Sequence, residues 1–267
     1  MSRPEHIAPP EFFYNGTEAQ KYTDNSRIQA IQAEMAIRAI DLLELPEGQP
    51  SFILDIGCGS GLSGEILEQE GHYWVGMDIA PSMLQVALNR DTEGDLLLAD
   101  IGQGVPFRAG SFDGAISVSV LQWLCNADTA TANPQARLQH FFTSLYASLK
   151  RGAKAVFQFY PESERSLNMI TSSATKCGFG GGVIVDHPDS KKAKKYYLCL
   201  QVGGGTLTLP DAEIDPADLR KKKIKNRKKD MTHKEAILKK KELYRKRGKA
   251  GVPLDSKFTG RKRRIKF

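Results

Sequence analysis

From Asn25 to Leu45 the residues Ile28, Ile31, Met35, Ile37, Ile40, Leu42 and Leu43 recur at nearly helical spacing, and the run stops before Pro46. The spacing predicts an amphipathic helix. The pattern then changes to short apolar runs alternating with helical ones. Strands are predicted at Phe52 to Leu54, Tyr73 to Asp78, Leu96 to Leu98, Ala115 to Val120 and Lys154 to Tyr160. Helices are predicted at Leu62 to Glu70, with Gly71 as its stop, at Pro81 to Asn89, at Pro134 to Leu149, and from Pro161 to Cys177. Val183 to Val185 and Tyr196 to Val202 predict a closing antiparallel pair. Strands alternating with helices in this order predict an α/β fold built on a parallel, doubly wound sheet.

No apolar run approaches the ~18 residues of a membrane span, so no membrane association is expected. A length of 267 residues suits one large core plus an extension. The expected organisation is an N-terminal segment over 1–24 near the cofactor site, a main domain over 25–205 and a basic C-terminal extension over 206–267. The start of the chain, broken by Pro4, Pro9 and Pro10 and carrying Glu5 and Glu11, lacks the basic and apolar blocks of a secretory signal. An intracellular protein is expected. Four cysteines without a C-x-x-C pair predict neither a disulfide framework nor a metal site.

Charge is divided unevenly. Residues 1–216 hold 16 Lys and Arg against 26 Asp and Glu, a net of −10, whereas residues 217–267 hold 22 against 5, a net of +17. An acidic body with a strongly basic tail is the asymmetry of a nucleic-acid binder.

The chemistry is concentrated at Leu54-Asp55-Ile56-Gly57-Cys58-Gly59-Ser60-Gly61. Glycines at a strand-to-helix turn let the backbone approach a ligand closely, and the amides at the helix start favour a negative group. Residues 59–64 also spell G-x-G-x-x-G, with Asp78 nineteen positions past Gly59, so the loop alone fits either S-adenosylmethionine or NAD. Asp55 favours the first, because an acid before the loop can receive an ammonium group but gains nothing beside a pyrophosphate. Asp78, ending the second strand with Ile79 after it, is placed for ribose hydroxyls. Asp100 and Ile101, after the third strand, suit the amino group and face of adenine, and Ser117 lies on the fourth strand.

These segments, in order and spacing, resemble the signature of class I S-adenosylmethionine-dependent methyltransferases. The cofactor residues so implied are Asp55, Gly57, Cys58, Gly59, Gly61, Asp78, Ile79, Asp100, Ile101 and Ser117. The implied fold is Rossmann-like: a seven-stranded, mostly parallel sheet in the order 3-2-1-4-5-7-6, with helices on both faces. Phe12 to Tyr22, Glu70 to Gly76, Gln122 to Ala127 and Phe258 to Arg263 resemble more closely the eukaryotic small-subunit (18S) ribosomal RNA guanine-N7 methyltransferases, a family of ribosome-biogenesis factors.

That resemblance implies methylation of a guanine N7, which already carries a lone pair and needs no general base. No catalytic His, Cys or carboxylate pair is expected. Trp123 and Tyr160, at the carboxyl edge of the sheet, are candidates to position the guanine by stacking; the alternative is that both rings only pack over the cofactor. Arg220, Lys221, Lys222, Lys223, Arg261, Lys262, Arg263 and Arg264 are the expected RNA contacts of the tail, and the basic run over 220–229, before a helix that Thr232 and Glu235 could cap, reads as a nuclear import signal. A nuclear protein, also present in the cytoplasm, is expected. The family also implies a small zinc-binding activator protein as obligate partner, beside the uncharged edge strand at Leu96 to Leu98. A protein or small-molecule methyltransferase, and an assembly factor acting mainly by occupying the pre-ribosome, stay open.

Overall fold

The computed structural model describes residues 3–126, 133–188, 190, 193–203, 209–210, 212–213, 233–247, 251–257 and 259. The chain divides into two compact units, 1–214 and 215–267. The first opens with two short helices, α1 (Pro10–Phe13) and α2 (Gly16–Asp24), then the long α3 (Ser26–Leu43). Helix α2 starts because the Asn15 side chain accepts from the amides of Thr17 and Glu18, and Asn25 does the same for Arg27 and Ile28 at the head of α3. The first two helices escaped the periodicity because α2 buries only Ala19 and Thr23, neither of them strongly apolar.

There follow β1 (Phe52–Ile56), α4 (Leu62–Glu70), β2 (Tyr73–Asp78), α5 (Pro81–Asn89), β3 (Asp95–Leu98), β4 (Phe112–Val118), α6 (Pro134–Ser148), β5 (Leu149–Phe159), α7 (Glu164–Lys176), β6 (Gly180–Asp186) and β7 (Lys195–Gln201). The seven strands lie in the order β3-β2-β1-β4-β5-β7-β6. All neighbouring pairs are parallel except those of β7, which runs antiparallel to β5 and to β6. This is the class I methyltransferase order.

Two strands are longer than their apolar runs. Strand β5 begins at Leu149 rather than Lys154, and its register with β4 shifts between Phe112 and Gly114, so the stretch 150–153, which lacks an apolar run, belongs to the strand. Strand β6 begins at Gly180, because a backbone without side chains can still pair: a Cβ on Gly181 would lie 2.0 Å from the Cys199 carbonyl oxygen.

The sheet is buried on both faces. One core gathers Leu54, Ile56 and Phe157 with Leu138, Phe141 and Phe142 of α6; the other gathers Ile53, Val156 and Tyr197 with Ala36, Ile40 and Leu43 of α3. Trp74 joins α4 to the β2–β3 end, its indole donating to Glu68 and its ring filling the space beside Gly64, Gly76 and Gly94. The carboxyl ends of β1, β2, β3 and β4 thereby reach one edge together, where a doubly wound sheet places its ligands.

In the second unit, α8 (His233–Lys246) presents Lys241 and Arg245 to Asp255, 3.2 and 2.9 Å away. The expected cap at Thr232 and the tail positions Arg220 to Lys223 and Arg261 to Arg264 lie outside the described residues.

Candidate cofactor and base-binding site

The turn after β1 is held in shape by its own backbone and by one carboxylate. Gly57, Gly59 and Gly61 have φ of 71°, 54° and 80°. The Gly57 and Cys58 amides donate to the Met77 carbonyl at 2.7 and 3.1 Å, tying the loop to β2. Asp78 completes the turn: its Oδ2 accepts from the Gly59 amide and its Oδ1 from the Ala80 amide, each at 2.8 Å. Burial pushes the Asp78 carboxyl above its ordinary value, against the pull of those amide donors.

The loop forms one wall of a cavity. Gly57, Cys58, Gly59, Asp78, Ile79, Asp100, Ile101 and Trp123 all line it, as do Ser60, Val118, Ser119 and Val120. Four residues singled out in the sequence do not. Ser117 is fully buried and donates to the Ile56 carbonyl at 2.7 Å, because β4 alternates and its cavity side falls to the residues after it. Gly61 is the N-cap of α4 in a left-handed conformation, its back against Thr92 and Ala87. Tyr160 is occupied elsewhere: its hydroxyl accepts from Lys195 Nζ at 2.8 Å, and that ammonium also lies 5.1 Å from the ring centre.

Asp55 is the fourth. It is fully buried behind the loop, where Ser63 donates to its Oδ2 at 2.6 Å while Oδ1 has no partner among the described residues. Burial, reinforced by the charge of Asp78 and resisted by the Ser63 bond, raises its pKa to about 7.

Lining residues not singled out in the sequence come from the N-terminal segment and from α3. Pro10, Tyr14, Tyr22 and Gln32 line the cavity, and Trp123 packs against both Phe13 and Tyr14, with ring centres 6.2 and 6.0 Å away. The density of aromatic residues over 12–22 was the available signal. Burial raises the Tyr14 phenol to about 12 and Tyr22 further, so both stay neutral. Arg137, from the first turn of α6, is a further lining residue; its guanidinium lies 2.9 Å from Asp100 Oδ1.

A nucleoside bearing an amino acid fits these walls. The loop is bare where it must be, since a Cβ on Gly57 would lie 2.1 Å from Val120 Cγ2. Two buried polar atoms of the loop region, Asp55 Oδ1 and Ser60 Oγ, lack partners among the described residues, an arrangement that costs stability unless a ligand or solvent satisfies it.

Residues 54–157 match the family described as methyltransferase domain, and residues 211–265 the family described as methyltransferase involved in Williams-Beuren syndrome. The chain is 58% identical to an 18S rRNA (guanine-N(7))-methyltransferase of Schizosaccharomyces pombe, covering 100% of each. It is 55% identical to that of Mus musculus, over 99% of this chain and 98% of the relative. The chain belongs to the 18S rRNA (guanine-N(7))-methyltransferase family. The Saccharomyces cerevisiae 18S rRNA (guanine(1575)-N(7))-methyltransferase is 54% identical over 100% of both chains.

Among solved structures, a phosphoethanolamine N-methyltransferase 2 of Haemonchus contortus superposes on this methyltransferase with a TM-score of 0.55 at 18% identity, covering 72% of this chain and 58% of that one. It shares the fold alone. The cofactor of this methyltransferase is S-adenosyl-L-methionine.

Proposed function

We propose that this enzyme transfers the methyl group of S-adenosylmethionine to N7 of a guanine in 18S rRNA during assembly of the small (40S) ribosomal subunit. The carrying observation is identity above 50% along the entire length of chains that bear that activity in their names. When bound, the cofactor supplies an electrophilic methyl group. The protein's own residues bind, orient and exclude water. Asp78 and Ile79 are placed for the ribose, Asp100 and Ile101 for adenine, and the loop at 57–60 for the amino-acid end, with the Asp55 charge behind it.

The side chains around the cavity suit a nucleophile that arrives ready. No histidine is among its described lining residues, Tyr14 and Tyr22 are held neutral, and burial holds the Cys58 thiol protonated. Guanine N7 loses no proton on methylation, so such a site loses nothing by lacking a base. Trp123, backed by Phe13 and Tyr14, is the ring on which a displaced guanine would stack. Most of the rate then comes from alignment of N7 with the methyl group.

Three further parts of the reading concern partners and place. The basic tail contacts rRNA phosphates and directs the enzyme to the nucleus; the enzyme also occurs in the cytoplasm. A small zinc-binding activator protein pairs with the enzyme at the β3 edge. In support, β3 bonds only to β2 among the described strands, it carries no charge between Asp95 and Asp100, and Leu98 is 55% exposed. Leu97, by contrast, packs on the main core, so Leu98 is the better interface probe.

The test is transfer of a labelled methyl from S-adenosylmethionine to small-subunit rRNA by the enzyme coexpressed with its activator. Label recovered as N7-methylguanosine is expected; label on protein, on a small molecule or on another base would overturn the assignment.

A further inference from the structure

Of the two acids that line the cavity, Asp100 is the one fixed by a charged side chain from another element. Its Oδ1 accepts twice, from the Gly102 amide at 2.8 Å and from Arg137 Nη2 at 2.9 Å. Both partners are about three-quarters buried, with side-chain exposures of 22% and 23%, which keeps the pair from being a freely solvated surface contact. Arg137 is itself anchored: Asn133 caps α6, and the Arg137 amide donates to the Asn133 carbonyl at 3.0 Å. Its guanidinium also covers the turn after Asp100, where a Cβ on Gly102 would lie 2.2 Å from Arg137 Nε. The guanidinium and the glycine therefore fit as a pair, and together they leave Asp100 Oδ2 as the oxygen without a donor among the described residues.

From this geometry we infer that Arg137 is a positioning residue that sets the base specificity of the cofactor site, acting through Asp100. The inference rests on the assignment of Asp100 to adenine. A carboxylate rotates about its last bond, and either oxygen can serve either donor. Holding Oδ1 with two donors removes that freedom and presents Oδ2 alone. The presented carboxylate oxygen is an acceptor, suited to an exocyclic amine and repelled by a carbonyl. Arg137 thus makes the site read the adenine amino group, without touching it.

Calorimetry with S-adenosylhomocysteine and its deaminated analogue S-inosylhomocysteine separates the possibilities. The wild-type enzyme should prefer the amine by roughly ten- to a hundredfold, the range of one charged hydrogen bond. In Arg137→Met that preference should fall to under about threefold, mostly through weaker binding of the adenine compound. Gly102→Ala keeps the arginine but displaces its guanidinium, and should lower the ratio in the same way; it serves if the first variant does not fold. Equal losses for both ligands, leaving the ratio unchanged, would reduce Arg137 to a structural role and overturn the inference. A wild-type enzyme that binds both compounds equally would instead remove Asp100 from adenine recognition, and one that binds neither would remove the cofactor assignment itself.

Discussion

Replacing Asp55 by Asn tests the electrostatics of the loop at the point where the fold strains against water. Asp55 is fully buried, has one hydrogen-bond donor, and titrates near pH 7 instead of its ordinary 3.8. A carboxyl whose pKa is raised on folding favours the native state while protonated, below 3.8, and loses that contribution as pH rises through about 7. Between pH 5 and 8 the wild-type protein should therefore lose on the order of 3 kcal/mol through this one group, from about two pH units of proton uptake at 1.36 kcal/mol each. For a unit of about 200 residues that is roughly 6–12 °C in Tm. The amide of the Asp55→Asn variant can still accept from Ser63 but does not titrate, so the pH slope of that variant should be flatter by the same amount. Thermal melts of both proteins without ligand, at pH 5, 6, 7 and 8, measure the difference directly. Parallel curves would refute the buried-charge argument. Saturating S-adenosylmethionine should shrink the gap, because an ammonium group near the loop lowers the pKa of the acid behind it.

Other perturbations probe the remaining parts. Gly57→Ala meets Val120 Cγ2 at 2.1 Å from a φ of 71°, so a loss of at least tenfold in cofactor affinity is expected by calorimetry, with roughly 1–2 kcal/mol of destabilisation from the left-handed backbone alone. Asp78→Ala removes the acceptors of two amides as well as the ribose contact, so it should cost about 2–4 kcal/mol in stability in addition to abolishing cofactor binding; unchanged melting would mean the loop does not depend on it. Leu98→Lys should block copurification with the activator and leave the melting temperature of the first unit within a degree or two, as expected of an exposed edge residue. A variant lacking residues 217–267 should bind rRNA more weakly and with a flatter dependence on salt, since fewer counterions are released; an unchanged slope would place the tail away from the RNA.

Legibility in the sequence followed the physics of each feature. The strand positions and the loop at 57–61 were readable because they rest on local rules: apolar runs of strand length, glycines at a strand-to-helix turn, and an acid near the end of each of the first three strands; the sheet order came from the resemblance to class I methyltransferases. Asp78, Asp100 and Trp123 accordingly line the cavity. Ser117 and Tyr160 do not line it, because one residue of register, or one partner such as Lys195, decides where a strand-end side chain points. Asp55 was assigned direct contact, whereas it lies behind the loop, a depth that no motif encodes. Tyr14, Tyr22 and Arg137 reach the cavity from elements distant in sequence, and only tertiary packing brings them there.

The central claim is that this cavity directs a methyl group to guanine N7 of 18S rRNA. Nucleoside mass analysis of 18S rRNA from cells lacking the protein, complemented with either the wild-type chain or Asp78→Ala, tests it most directly. One N7-methylguanosine per 18S rRNA should disappear with the protein, return with the wild-type chain and stay absent with the variant. An unchanged N7-methylguanosine content in cells without the protein, or full restoration by Asp78→Ala, would contradict the account.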